Sequence, residues 1–205
     1  MIAFKEYKFP FTDPIDLYGH NEDDPTHHGS LKLANYAYPA HYEQLSKPRT
    51  LLEAFTRREQ EGLPYKGIVF YVHGFSEYVQ RFAHLGQRWS NLGYDFYAMD
   101  MRGHGRSEGR TAFIPSVRTI AGDMTAHHRA VINVYRMRGQ IPPIYCFSHS
   151  LGSLMMMHAQ LRRDEEPVPY TAVSLINPCF GMYNKKSAKA AANVMRGIAC
   201  VNPQA

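Results

Sequence analysis

Four short apolar runs, the first three each followed by a helix-spaced segment, constrain this chain more than any other feature. Gly67-Ile-Val-Phe-Tyr-Val-His73 stops at Gly74, and Tyr94-Asp-Phe-Tyr-Ala-Met-Asp100 leads into the Gly-rich turn Arg102–Ser107. Ile144-Tyr-Cys-Phe-Ser148 leads into His149-Ser-Leu-Gly152, and Thr171-Ala-Val-Ser-Leu-Ile-Asn177 is the fourth. The first of the four, a continuous apolar run, predicts a buried strand, and the other three predict further strands. Arg81 to Leu92, Val117 to Arg138 and Leu151 to Arg163 carry helical spacing between them, and Gly93 and Gly139 end the first two. Strands and helices alternating in this way predict an α/β fold with a mostly parallel sheet and helices on both faces. Ligands of such sheets bind at the carboxyl ends of the strands, which is where the motifs below fall.

The flanks are less regular. Residues 1–30 are rich in Pro, Asp, Asn and His and predict an irregular extension, with Asp13-Pro-Ile-Asp16 as one of its turns. Leu31 to His41 predicts one or two edge strands, and Lys47 to Gly62 a short helix on the stripe Leu51, Leu52, Phe55. The expected division is therefore an extension at 1–30, an α/β core at 31–180 and the start of a cap at 181–205. A chain of 205 residues is long enough to bury such a core.

Composition narrows the function classes. The formal charge of +5 comes from 23 basic against 18 acidic residues, but the basic residues never cluster beyond pairs such as Arg57-Arg58 and Lys185-Lys186. A solvated basic surface, and no nucleic-acid partner, is expected. Cys146, Cys179 and Cys200 are odd in number and lack metal-ligand spacing, so neither a disulfide framework nor a metal or other cofactor is expected. The first residues lack the apolar region of a secretory signal, and no apolar run approaches the ~18 residues of a membrane span. The expected location is cytoplasmic, with peripheral membrane association left open.

Ser148-His-Ser-Leu-Gly152 carries the chemistry. A nucleophilic serine needs an exposed hydroxyl on a sharp strand-to-helix turn, with small neighbours that let strand and helix approach. Ser150 occupies that place, Gly152 supplies one small neighbour, and Ser148 stands where the usual pattern has glycine. Acyl transfer also needs two backbone N–H donors for the developing oxyanion. Leu151, after the nucleophile, would give one. Phe75, in the loop His73-Gly-Phe-Ser-Glu77 after the first strand, would give the other.

These motifs resemble the monoacylglycerol lipase and lysophospholipase group of the α/β-hydrolase family, also described as serine-aminopeptidase-like. The family's loop H-G-x-x-E-H-x-x-R-Y is matched by His73, Gly74, Glu77 and Arg81, with Tyr78 and Phe82 at the departures. Its D-x-R-G-H-G-x-S-x-G signature is matched by Asp100, Arg102, Gly103, His104, Gly105, Ser107 and Gly109. Its elbow, usually G-H-S-M-G-G, corresponds to Ser148 through Ser153. The resemblance covers residues 67–180 and implies an α/β-hydrolase fold that is incomplete at the C-terminus. In this family the triad acid and histidine follow the serine on loops after later strands, and no residue after Ser150 fills those places. His158 lies inside the following helix, His149 shares the tight turn, and Asp100 fits a turn-organising carboxylate better than a triad acid.

The resemblance implies a serine hydrolase that cleaves carboxylic esters of the monoacylglycerol or lysophospholipid type through an acyl-enzyme. Its acid and base would come from outside this chain, from a continuation or a partner chain. The alternative is a hydrolase-derived structural or interaction subunit without activity. Three further features bear on function. His127-His128 with Asp123 lacks the spacing of a metal pair and predicts a polar helix face, and His27-His28 with Glu22, Asp23 and Asp24 predicts a solvated loop. Ala191, Val194, Met195, Ile198 and Val201 form an apolar stripe over 184–201, flanked by Lys185, Lys186, Lys189 and Arg196. That stripe suits either a lid helix touching lipid or a helix packed on its own domain.

Overall fold

A computed structural model describes residues 8–17, 31–46, 48–162 and 166–180. Its strands are β1 (Phe11–Leu17), β2 (Leu31–Tyr38), β3 (Gly67–Val72), β4 (Tyr94–Met99), β5 (Ile144–His149) and β6 (Ala172–Ile176). Its helices are α1 (Leu51–Gln60), α2 (Ala83–Asn91), α3 (Val117–Met137) and α4 (Leu151–Leu161), with a 3-10 turn at Val79–Phe82. The strands form one sheet in the order β1-β2-β4-β3-β5-β6, antiparallel as far as β4 and parallel from β4 to β6. None of the described helices is long and apolar enough to cross a membrane.

Local signals explain where the helices begin. The Thr50 hydroxyl accepts the Glu53 N–H at 3.1 Å, and Glu53 reaches back to the Arg49 N–H at 2.7 Å, which closes the start of α1. Ser116 does the same for α3 by accepting the Thr119 N–H at 3.0 Å.

The parallel strands alternate between two cores. Ile68, Phe70 and Val72 of β3 join Tyr97, Ile144 and Cys146 on the face covered by α1, α3 and α4. Val69 and Tyr71 join Tyr36, Phe96 and Ala98 on the opposite face, under Val79 and Ala83. Each such large side chain taken fully out of water contributes about 1.5–3 kcal/mol. One ion pair is buried among them. Arg58 donates to both oxygens of Asp95 at 2.9 and 3.0 Å, and Asp95 also accepts the Tyr135 hydroxyl and the Ala40 N–H, each at 2.7 Å.

Three expectations need correction. Residues 11–17, inside the stretch read as an irregular extension, form β1, and β2 is flanked on both sides rather than lying at an edge. Pro14, which cannot donate to a ladder, is tolerated because among the described residues β1 has a neighbour on one side only. His127 and His128 do not make a polar face either, since both are 1% exposed. His127 Nε2 bonds Asn35 Oδ1 at 2.6 Å, His128 Nδ1 bonds the Tyr170 hydroxyl, and the His128 ring stacks on Phe70. Burial pushes the His127 pKa down to about 3 and that of His128 down as well. The 184–201 stripe, the cap boundary at 181 and the His27-His28 loop lie outside the described residues.

Candidate active site

Sheet order fixes where a site can form. From β3 the chain passes through α2 to β4 on one side, and from β5 through α4 to β6 on the other. β3 and β5 are neighbours, so their carboxyl ends open a crevice that no crossover helix closes. The loop at Gly74 and the turn at Ser150 meet there.

β5 ends at His149 and α4 begins at Leu151, so the reversal falls on one residue. Ser150 has φ 50° and ψ −114°, a conformation that costs a residue other than glycine about 1–3 kcal/mol. The surroundings hold it there. The Ser150 N–H donates to the Ile176 carbonyl at 2.9 Å, and the Ser150 carbonyl accepts the N–H groups of Ser153 and Cys179 at 3.0 and 3.2 Å. A Cβ on Gly152 would lie 2.6 Å from the carbonyl oxygens of both Val72 and His73, so only glycine lets α4 start this close to β3. Ser148, at the usual glycine position, is buried. Its hydroxyl lies 3.3 Å from that of Ser153, which in turn donates to the Ser148 carbonyl at 2.8 Å.

The β3 loop is held just as closely. His73 is fully buried, and its ring joins two strand ends: Nδ1 donates to the Gly74 carbonyl at 2.8 Å and Nε2 accepts the Met101 N–H at 2.9 Å. Burial lowers its pKa, which keeps the ring neutral for that second bond. Glu77 Oε2 accepts the Gly74 N–H at 2.7 Å and bonds His149 Nδ1 at 3.1 Å. Burial opposes the Glu77 charge, yet these two donors hold its pKa below the usual carboxylate value. In a trans peptide the Phe75 N–H points opposite to the Gly74 carbonyl, and that carbonyl is turned to His73. Among the described residues neither the Phe75 N–H nor the Leu151 N–H has a hydrogen-bond partner.

The Gly-rich turn after β4 supports this loop from beside it. The Asp100 carboxylate accepts the Tyr36 hydroxyl at 2.7 Å, the Val79 N–H at 2.7 Å and the Arg106 N–H at 2.9 Å. A Cβ on Gly105, at φ +56°, would lie 2.1 Å from Asp100 Oδ2. Arg102 forks onto Asp123 of α3 at 2.6 and 2.8 Å, and the Gly103 N–H and carbonyl bond Glu108 and Ala112. His104 donates from Nδ1 to the Arg102 carbonyl, and its ring meets the half-exposed Phe75 edge-on at 5.5 Å. Ser150, Phe75, Leu151, His73, Gly74, Glu77 and Gly152 thus converge on the crevice. Asp100, Arg102, Gly103, His104 and Gly105 build the turn beside it.

A family profile described as "Serine aminopeptidase, S33" matches residues 64–203. The chain belongs to that family. Its fold is that of the α/β-hydrolases. Among its relatives, monoglyceride lipase of Rattus norvegicus is 27% identical over 123 residues, which is 60% of this chain and 38% of that protein. Monoacylglycerol lipase of Mycolicibacterium smegmatis is 28% identical over 126 residues, 58% of this chain and 40% of that protein. The aligned stretch thus spans about two fifths of the relatives' length. A soluble variant of monoglyceride lipase from Saccharomyces cerevisiae, solved with a substrate analogue, superposes with a TM-score of 0.63 at 16% identity, covering 99% of this chain and 56% of that one. At that identity the likeness speaks for the S33 chain's fold.

One contact in this S33 site was missed at the sequence level. His149 shares the tight turn of Ser150, yet its ring reaches Glu77, 72 positions away. The signal was the acidic place in the loop motif, which Glu77 occupies.

Proposed function

We propose that Ser150 is the nucleophile of a serine hydrolase acting on carboxylic esters, of the acylglycerol or lysophospholipid type. The observation that carries this is the backbone of Ser150. A hydroxyl-bearing residue takes a conformation that glycine would adopt without strain, at the mouth of the switch-point crevice. In the proposed reaction the Ser150 oxygen attacks the ester carbonyl and the amides of Phe75 and Leu151 hold the oxyanion. The leaving alcohol departs to give an acyl-enzyme, which water then cleaves. A histidine with its acid partner, from a polypeptide segment outside these 205 residues, takes the serine proton and returns it to the leaving alcohol. That the relatives are monoacylglycerol lipases supports the acylglycerol class, and the apolar stripe over 184–201 is the proposed contact with a lipid surface.

A second reading has its own observation. Among the described residues no side chain hydrogen-bonds the Ser150 hydroxyl, which suits an interaction subunit derived from a hydrolase. Treating the 205-residue chain with a fluorophosphonate separates the two. Stoichiometric adduct on Ser150, absent in Ser150→Ala, supports the nucleophile. No adduct under conditions that label a known serine hydrolase supports the interaction subunit.

A further inference from the structure

We propose that Glu77 and His149 are positioning residues that clamp the loop after β3 onto the turn after β5, setting the Phe75 and Leu151 amides at one spacing around Ser150. The role of the clamp in catalysis rests on Ser150 being the nucleophile; the clamp itself is a matter of geometry.

A single oxygen, Glu77 Oε2, takes hydrogen bonds from both sides of the crevice: the Gly74 N–H of the β3 loop and the ring of His149, the last residue of β5. Glu77 lies on the same loop as Gly74, so its carboxylate folds the loop back on itself and ties it to a strand 72 positions further on. The space is closely filled. A Cβ on Gly74 would meet Glu77 Oε2 at 3.0 Å, His149 Nδ1 at 3.0 Å and Ser150 Cβ at 3.1 Å. With His73 on the Gly74 carbonyl and Glu77 on its N–H, both polar groups of Gly74 are held by side chains. The peptide that carries the Phe75 N–H is therefore held at its carbonyl by His73, and the peptide before it is held at its N–H by Glu77.

An exposed Glu–His pair on a surface would hold very little. This one is different in placement, since its side chains are only 18% and 30% exposed and a charge-assisted bond to a backbone N–H anchors it. Neither residue touches a reacting atom in the proposed chemistry. A shift of the loop by about 1 Å is enough to cost acyl transfer on the order of 100-fold.

The test combines one readout that needs a reactive serine with one that does not. In NMR of the full chain, wild type is expected to show a Gly74 Hα to Ser150 Hβ cross-peak and a low-field Gly74 amide proton. Glu77→Ala and His149→Ala should weaken that cross-peak, and Glu77→Ala should also move the amide upfield. Glu77→Gln, which keeps an oxygen for both donors, should retain the cross-peak. In fluorophosphonate labelling, each alanine variant should react about tenfold or more slowly, with the double variant no slower than the slower single. Glu77→Gln should recover most of the rate. A cross-peak and amide shift unchanged in Glu77→Ala overturn the clamp, whatever Ser150 does. Labelling of Glu77→Ala at the wild-type rate overturns its positioning role. If wild type fails to label while the cross-peak responds as described, the nucleophile assignment falls and the clamp stands.

Discussion

Gly122, inside α3, and Gly152, in the first turn of α4, both occupy helical positions where alanine is intrinsically preferred by up to about 1 kcal/mol. Their surroundings give the same substitution opposite signs. Around Gly122 nothing lies within 4 Å of an added Cβ, so Gly122→Ala should stabilise by about 0.5–1 kcal/mol. At Gly152 the Cβ would sit 2.6 Å from two backbone oxygens of β3, about 1 Å inside ordinary contact, and backbone cannot swing aside. The start of α4 must then move off β3. Overpacking of this kind costs about 1–3 kcal/mol, enough to exceed the propensity gain. Urea unfolding can follow the fluorescence of Trp89, the single tryptophan, which packs against Tyr94 at 5.2 Å and Phe147 at 5.1 Å and so reports on the sheet. With the slope unchanged, the midpoint should rise for Gly122→Ala and fall for Gly152→Ala. In heat, each kcal/mol should appear as a shift of about 2–4 °C. A midpoint raised equally in both variants would refute the close approach of α4 to β3.

Three other outcomes are expected. Asp95→Ala leaves the buried Arg58, the Tyr135 hydroxyl and the Ala40 N–H without their acceptor, and should cost about 3–5 kcal/mol in the same urea assay; a loss below about 1 kcal/mol would contradict it. His127 titrates near 6.5 unfolded and near 3 folded, so between those values the unfolded chain binds more protons and stability drains away as pH falls. Going from pH 7 to 5 should cost about 2 kcal/mol through His127, with His128 adding in the same direction, and His127→Gln should flatten the fall; identical pH dependence in the variant would clear His127. Ser150→Gly should be about 1 kcal/mol or more stable than Ser150→Ala, because glycine adopts φ 50°, ψ −114° without a Cβ clash; equal unfolding midpoints would mean the turn is unstrained.

What the sequence made legible was local or doubly buried. β3, β4 and β5 stand out because burial keeps their runs mostly apolar, with Asp95 and Ser148 the buried exceptions, and α1 and α3 because of helical spacing, with the Leu51, Leu52, Phe55 stripe in one and Gly139 ending the other. β1 was hidden by Asp13, Pro14 and Asp16, which look like a turn and are accepted in a strand with one neighbour among the described residues. His127 and His128 misled for the opposite reason. Adjacent imidazoles look solvated, and what makes them core is Asn35, 92 positions away, with Tyr170 and the Phe70 ring. At the site, the motifs marked Ser150, Gly152 and Glu77, but the partner of Glu77 depends on sheet order, which places β5 beside β3.

The distribution of hydrogen bonds around the crevice bears on the choice between enzyme and interaction subunit. His73, Asp100, Ser148 and Ser153, all buried, have their side-chain polar groups paired, whereas His104 Nε2, buried in the turn beside them, has no partner among the described residues. Three groups at the mouth of the crevice are unpaired among the described residues: the Ser150 hydroxyl and the N–H groups of Phe75 and Leu151. The unpaired hydroxyl by itself fits either reading, whereas an interaction subunit does not call for the strained turn or the two free amides. Glycine at 150 would relieve the turn, and a loop free to close would satisfy the two amides. A strained hydroxyl held beside two free donors is the arrangement a tetrahedral oxyanion requires. On the proposed reading this arrangement serves acyl transfer, and the proton acceptor is the component it must be given.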